Sequence, residues 1–200
     1  MRVIIEFIYF FFTVALIENI VFTRGLGSSK SFKYLSNKKE LLFYTLSLVI
    51  MLVPSTIIIY FAEKPFKMVH QTTKSVIIPV LVVLVVTLFY FLSSFIISFL
   101  KETKLKESFA DLIPSTAYSY ITLGTLFLAS RQNLVLFQRL ALVLGSAAGF
   151  LLATLLISFS QSYIESDKIP RVFKGLPIKV LFVGLLSLAF YGLSGHELSF

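Results

Sequence analysis

The chain has 200 residues, 57% of them hydrophobic, and a mean hydropathy of +0.91. Apolarity on that scale, spread over several uninterrupted runs of about twenty residues, exceeds what a water-soluble domain carries and defines an integral membrane protein. The formal charge of +8 comes from 18 Lys and Arg set mostly in short segments between the apolar runs, as membrane-flanking cations are, which argues against a nucleic-acid partner. Cysteine is absent, so the chain by itself offers no disulfide, thiolate metal site or cysteine-ligated iron–sulfur cluster.

The first apolar run, 3–22, follows a single early cation, Arg2, lacks a small-x-small cleavage site and carries Glu6 and Glu18. It reads as a retained span rather than a signal peptide. Glu6 is interfacial. Glu18 lies three-quarters of the way through the span, where a carboxylate is costly; it faces a partner group, pairs with Arg24 or reaches the interface. Gly25 and Gly27, followed by Ser28 and Ser29, interrupt the helix at its end. Runs at 41–62 and 76–100 follow, with Pro54 and Pro79 placed to kink or start helices. The fourth run, 109–129, contains "IPSTAYSYITLG" (113–124), where Pro114 removes one donor and pushes Ile113 away from helix, so a break is expected there. Runs at 136–160 and 177–194 complete six. As α-helices rising about 1.5 Å per residue, they suit a hydrocarbon core about 30 Å thick. The alternating segments of about ten residues that a β-barrel needs are absent.

The expected fold is therefore an all-α integral membrane protein forming a single membrane domain over 1–200. Connections one, three and five hold Arg24, Lys30, Lys33, Lys38 and Lys39, then Lys101, Lys104 and Lys106, then Lys168, Arg171, Lys174 and Lys179, twelve cations against six on the other side. That bias predicts both termini outside and the odd connections in the cytoplasm. Leu26-Gly27 and Leu123-Gly124 are separated by 97 residues, and the same shift carries spans two and three onto spans five and six. The pattern predicts two inverted three-helix repeats, about 1–100 and 101–200, with helices 1 and 4 interrupted.

Backbone freed from helical bonding cannot face lipid, so two such interruptions are buried in protein or line a wet cavity. Glu18, Asn19, Gly27, Ser28, Ser29, Ser119, Tyr120 and Gly124 form the candidate central site. The alternative is structural: small and hydroxyl residues permit close helix approach and bond to their own backbone. His70 and His196 fall in a loop and a tail with no second metal-ligand type at helical spacing. No hydrolase elbow, phosphate loop or zinc motif is present.

The carboxyl-terminal stretch "IPRVFKGLPIKVLFVGLLSLAFYGLSG" (169–195) resembles the closing segment of the small membrane subunits of Rnf and Nqr ion-translocating oxidoreductases, RnfA/RnfE and NqrD/NqrE. Pro170, Phe173, Gly175, Gly184, Ser187 through Phe190, Gly192, Ser194 and Gly195 carry the pattern. "VALIENIVFTRGLGSS" (14–29), "LIPSTAYSYITLG" (112–124) and "LGSAAGFLLATLL" (144–156) look like the family's first, fourth and fifth spans. The resemblance implies six helices in two inverted repeats, a pair of such subunits related by a second pseudo-two-fold axis, and at the centre of the pair a [2Fe–2S] cluster held by one cysteine from each interrupted helix of each subunit. By this alignment Ser29, or Ser28, occupies the first cysteine position and Tyr120 the second. A serine alkoxide is a poor cluster ligand and a neutral tyrosine a poorer one. "YSY" also replaces a small polar run with bulk, which reads as a site filled in rather than refitted.

The reading that follows is a cluster-less scaffold or docking subunit of an electron-transfer assembly in the cell membrane. It has no cofactor or metal of its own. Its partners are lipid, other membrane subunits including a paralogous Rnf/Nqr-like one, and a flavoprotein that carries any flavin. The competing reading is a transporter or substrate-capture protein that binds a small molecule or ion between the interruptions. On either reading the chain alone is not expected to catalyse a reaction.

Overall fold

The computed structural model describes residues 2–35, 37–68, 70–99, 104–132, 134–161 and 169–193, and every regular element among them is helical. Ser194, Gly195 and His196, and the cations Lys101 and Lys168, lie outside the described residues. The first run is α1 (Arg2–Phe12), continued by a π-helical turn (Thr13–Ile17), then α2 (Ile20–Arg24) and α3 (Ser28–Lys33). The remainder is α4 (Lys38–Ala62), a 3₁₀ turn (Lys64–Met68), α5 (Gln71–Phe99), α6 (Lys104–Ala117), α7 (Tyr120–Arg131), α8 (Leu136–Phe159) and α9 (Leu176–Leu193). Each predicted run coincides with one helix or one broken helix.

Among the described residues, three helices, α4, α8 and Thr73–Phe99 of α5, are long and apolar enough to cross a membrane. The pair α6–α7, bent by 47°, makes a fourth when counted as one span. Val3–Ile17 and Leu176–Gly192 are shorter apolar helices. The start of α4 is fixed by Asn37, whose Oδ1 accepts from the amides of Lys39 and Glu40 while its Nδ2 donates to Glu40 Oε1 at 2.8 Å.

The centre of the molecule is α4 packed along α8. The Tyr44 ring lies 5.5 Å from Phe150 of α8, and Leu48, Met51 and Leu52 of α4 and Ala153 and Ile157 of α8 are likewise fully buried. In lipid, apolar burial adds little, so close packing must hold such helices together. Small residues supply it: a Cβ at Gly145 would fall 2.8 Å from the Phe11 carbonyl oxygen, and one at Gly149 3.1 Å from that of Ala15. Thus α1 and its π turn lie directly on α8. On the other side α6 and α7 pack against α4 and α5, and α9 rests on α2 through a Phe22–Phe190 stack at 4.6 Å.

Two expectations about the breaks need correction. Pro114 does not interrupt the fourth run; it lies inside α6, as Pro54 and Pro79 lie inside α4 and α5. A proline removes a single bond, to the carbonyl four residues earlier, and both Pro114 and Ala110 are exposed, so that carbonyl is not stranded in the core. The chain breaks instead at Tyr118–Ser119, where Ser119 turns extended (φ −75°, ψ 149°). The first run, besides its expected interruption at Gly25–Gly27, breaks earlier at Glu18–Asn19.

Candidate functional site

Each broken helix restarts on a polar cap. Asn19 Oδ1 accepts from the amide of Val21 at 3.0 Å, opening α2, and its Nδ2 donates to the carbonyls of Ala15 (3.0 Å) and Gly149 (2.8 Å). Its side chain therefore saturates the break and pins it to α8. Ser119 Oγ accepts from the amide of Thr122 at 3.1 Å and lies 3.0 Å from the Thr122 hydroxyl, which donates to the Thr116 carbonyl at 2.6 Å. Both caps are buried. Irregular backbone within a membrane protein demands this arrangement, because groups freed from the helix must find partners inside the protein.

The two interruptions meet. Gly27 has φ +88°, and a Cβ there would fall 2.5 Å from Ile121 Cγ1; a Cβ at Gly124 would fall 2.5 Å from Leu26 Cδ1. Only residues without side chains allow α7 and the Leu26–Gly27 turn to approach so closely. The Leu-Gly pairs singled out in the sequence thus pack across one another. Beside them Lys30 Nζ donates to Ser115 Oγ at 2.7 Å, joining α3 to α6, and Ser47 and Thr116 hydroxyls bond at 2.9 Å between α4 and α6.

The other candidates fall differently. Ser28 Oγ donates to the Gly25 carbonyl at 3.2 Å, a local turn bond. Ser29 is exposed, and Tyr120 is 73% exposed. Tyr118, also exposed, donates to Thr87 Oγ1 at 3.1 Å. The bulk of "YSY" therefore points out of this chain and does not fill its interior, contrary to expectation. Glu18 is exposed and makes no ion pair with Arg24, itself exposed. Asn19, Gly27 and Ser119 are buried and Ser28 and Gly124 half-buried, while Glu18, Ser29 and Tyr120 are exposed.

A [2Fe–2S] cluster does not fit these residues. The positions that the resemblance aligns with the cysteines, Ser29 or Ser28 and Tyr120, offer only hydroxyls and a phenol, and no group of three or more His, Cys, Asp or Glu gathers among the described residues.

Sequence reading missed two polar features. Arg139 is buried in the first turn of α8, where Nη1 donates to Glu63 Oε2 at 2.7 Å, Nε donates to the Leu134 carbonyl at 3.3 Å, and the guanidinium lies 5.2 Å from the Tyr60 ring centroid. Thr154 donates to Ser31 Oγ at 3.0 Å, tying α8 to α3. A glycine pair four apart, Gly145 and Gly149, was the legible signal for the α8 seat that receives Asn19.

The geometry defines a multi-span helical membrane protein built around two broken helices whose interruptions pack together. Its sequence matches the family described as Rnf-Nqr subunit, membrane protein, over residues 7–196, and the chain belongs to that family. It is 27% identical over 198 residues to a subunit of the ion-translocating oxidoreductase complex of Alcanivorax borkumensis, covering 95% of this chain and 97% of the relative. The corresponding subunit of the ion-translocating oxidoreductase complex of Syntrophotalea carbinolica is 32% identical over 91 residues, 46% of this chain and 47% of that protein. With a subunit of the Na(+)-translocating ferredoxin:NAD(+) oxidoreductase complex of Acetobacterium woodii, identity is 39% over 54 residues, 27% and 28% of the two chains. The chain thus spans about half or less of the length of these last two relatives.

Proposed function

We propose that this chain is an integral membrane subunit of an electron-transfer assembly of the ion-translocating oxidoreductase type, serving as a cluster-less scaffold or docking subunit. The observation that carries the reading is the close packing of the two interruptions on each other, combined with outward-facing, non-thiolate side chains at Ser29 and Tyr120. Leu26, Gly27, Ile121 and Gly124 keep the interruptions together, while Ser29 and Tyr120 present no ligand. Any iron–sulfur or flavin carrier belongs to a partner.

The finer architecture is six helices in two inverted repeats, with both termini outside the cell membrane. The packing supports it through an exchange of partners: the broken first helix lies on α8, the broken fourth helix on α4, α5 on α6 and α7, and α9 on α2. That is the pattern expected when each half contributes a broken helix, a central helix and an outer helix related by a two-fold axis. The exposed Glu18, Ser29 and Tyr120 lie beside broken backbone, which calls for protein rather than lipid against them. A paralogous or second membrane subunit is the fitting cover. The transporter reading is less favoured, because Asn19 and Ser119 use their hydrogen bonds on helix caps.

The test is purification of the tagged chain in mild detergent from its native membrane, with mass spectrometry of co-purifying chains and an absorption spectrum. Co-purifying membrane subunits with flavin or iron–sulfur absorbance are expected. A colourless preparation accompanied by an ATPase module or a bound small molecule would overturn the proposal.

A further inference from the structure

Where α4 ends and α5 begins, the two helices leave between them an apolar groove of about 400 Å³. Ala62 lines it from α4, and the face of α5 from Val76 to Val85 lines it from the other side. Val85 is buried at its floor, while Val76, Val80 and Leu84 are exposed along its rim. A methyl group at Ala62 leaves open the space that a larger side chain would occupy. From Val76 to Val85 the helix rises about 14 Å. That is close to half of a hydrocarbon core about 30 Å thick, and so to the depth of one leaflet.

The end of the groove nearest the connection is cationic. Residues 63–75 carry Lys64, Lys67 and Lys74 against a single carboxylate, Glu63, which is already held by Arg139 at 2.7 Å. Lys64 follows Ala62 by two residues and Lys74 precedes Val76 by two, so both belong to the mouth of the groove. Lys64 Nζ lies 4.6 Å from the Phe61 ring centroid, which keeps this ammonium at the end of α4 with its stem along apolar surface.

We propose that the α4–α5 groove is a binding site for one anionic phospholipid, with an acyl chain along α5 and its phosphate at Lys64 and Lys74. A transmembrane helix of another subunit suits the groove less well. Close helix approach in membranes relies on small residues, and α5 contains neither glycine nor alanine from Gln71 to Phe99. An acyl chain needs no such seat, because it conforms to Val, Ile and Leu side chains. The charge selects the headgroup: a zwitterionic lipid brings a cation of its own to the mouth, whereas an anionic one brings net negative charge to lysines that Glu63 does not neutralise. The site stands apart from the electron-transfer reading, since no residue of the broken-helix junction takes part in it.

The chain contains no tryptophan, so a single introduced one reports on its own surroundings. Val80→Trp puts the reporter on the rim of the groove. Phe91→Trp, eleven residues further along and so on the same face of α5, puts it beyond the groove. Each full-length variant, checked for unchanged melting, is reconstituted in phosphatidylcholine vesicles, and quenching by brominated phosphatidylglycerol is compared with quenching by brominated phosphatidylcholine. At Val80→Trp the anionic lipid should bind more tightly by about fivefold for each lysine engaged, about 25-fold for the two. At Phe91→Trp the two lipids should quench alike. Adding Lys64→Gln with Lys74→Gln, or filling the groove with Ala62→Phe, should return the Val80→Trp ratio to parity. Equal ratios at the two reporters would mean bulk lipid only and overturn the site. A preference that survives Ala62→Phe would overturn the seated chain, and one that survives loss of both lysines would overturn the headgroup contact. Weak quenching by either lipid at Val80→Trp would mean that a second copy of the chain covers this face, which also overturns the proposal. Should Val80→Trp fail to fold, Leu84→Trp on the same rim gives the same reading.

Discussion

Replacing Gly27 with alanine tests the contact between the two interruptions, and Gly25 supplies its control. Gly27 sits at φ +88° and Gly25 at φ +67°, so an L-residue at either position adopts a left-handed backbone at a cost of about 1–2 kcal/mol. The surroundings differ. A Cβ at Gly25 meets nothing within 4 Å, whereas one at Gly27 falls 2.5 and 2.6 Å from Ile121 Cγ1 and Cδ1 and 3.4 Å from Phe150 Cδ2. Phe150 and Ile121 are themselves fully buried, so relief requires repacking of the core, which costs typically about 1–3 kcal/mol. Gly27→Ala is thus expected to lose about 2–5 kcal/mol, against about 1–2 kcal/mol for Gly25→Ala. The assay is detergent-driven unfolding of the purified chain followed by circular dichroism, with both variants and wild type in one micelle system. Equal stabilities of the two alanine variants would refute the packing of the Leu26–Gly27 turn on α7.

Gly124→Ala should destabilise less than Gly27→Ala, since its Cβ meets the flexible tip of Leu26, and adding Leu26→Ala should recover part of the loss in a double-mutant cycle. Arg139→Met leaves Glu63 buried without its partner and should cost about 3–5 kcal/mol, whereas Arg139→Met with Glu63→Leu should return close to wild-type stability in the same unfolding assay. Asn19→Ala removes the cap of α2 and leaves the Gly149 carbonyl unpaired, so its cost, about 1–3 kcal/mol, should exceed that of Ser119→Ala, about 0.5–2 kcal/mol, by the same measurement.

Hydrophobic run length revealed the helices, because an apolar stretch of span length has few other uses; each predicted run lies within a few residues of its helix. The breaks were harder to place. Pro114 is the strongest local helix-breaking signal in the fourth run, yet the helix passes through it, because one missing bond at an exposed turn costs little. What ends α6 is Ser119, whose cap competes with helical backbone only because Thr116 and Thr122 are positioned to share it. That cooperation is local, confined to positions 116–122, but a string of hydroxyl residues does not mark which of them supplies the cap. The Glu63–Arg139 pair was hidden for a different reason: 76 residues separate its members, and each alone resembles a flanking charge.

The site separates into inward residues that hold the junction together and outward residues that take no part in its packing. The interior of the junction rests on Asn19 against Gly149, Leu26 against Gly124 and Gly27 against Ile121, none of which contributes a cluster ligand. Positions 29 and 120 lie outside that packing, so a change of side chain there alters what the surface offers while leaving the core contacts untouched. Tyr120, largely exposed, makes the point: a residue of its volume inside the Gly27–Ile121 contact would separate the broken helices, but on the surface it adds only area for a neighbour to cover. The residues that pack the junction and the residues that face a neighbour are therefore different, and substitutions at the two sets should separate: loss of stability at the first, none at the second.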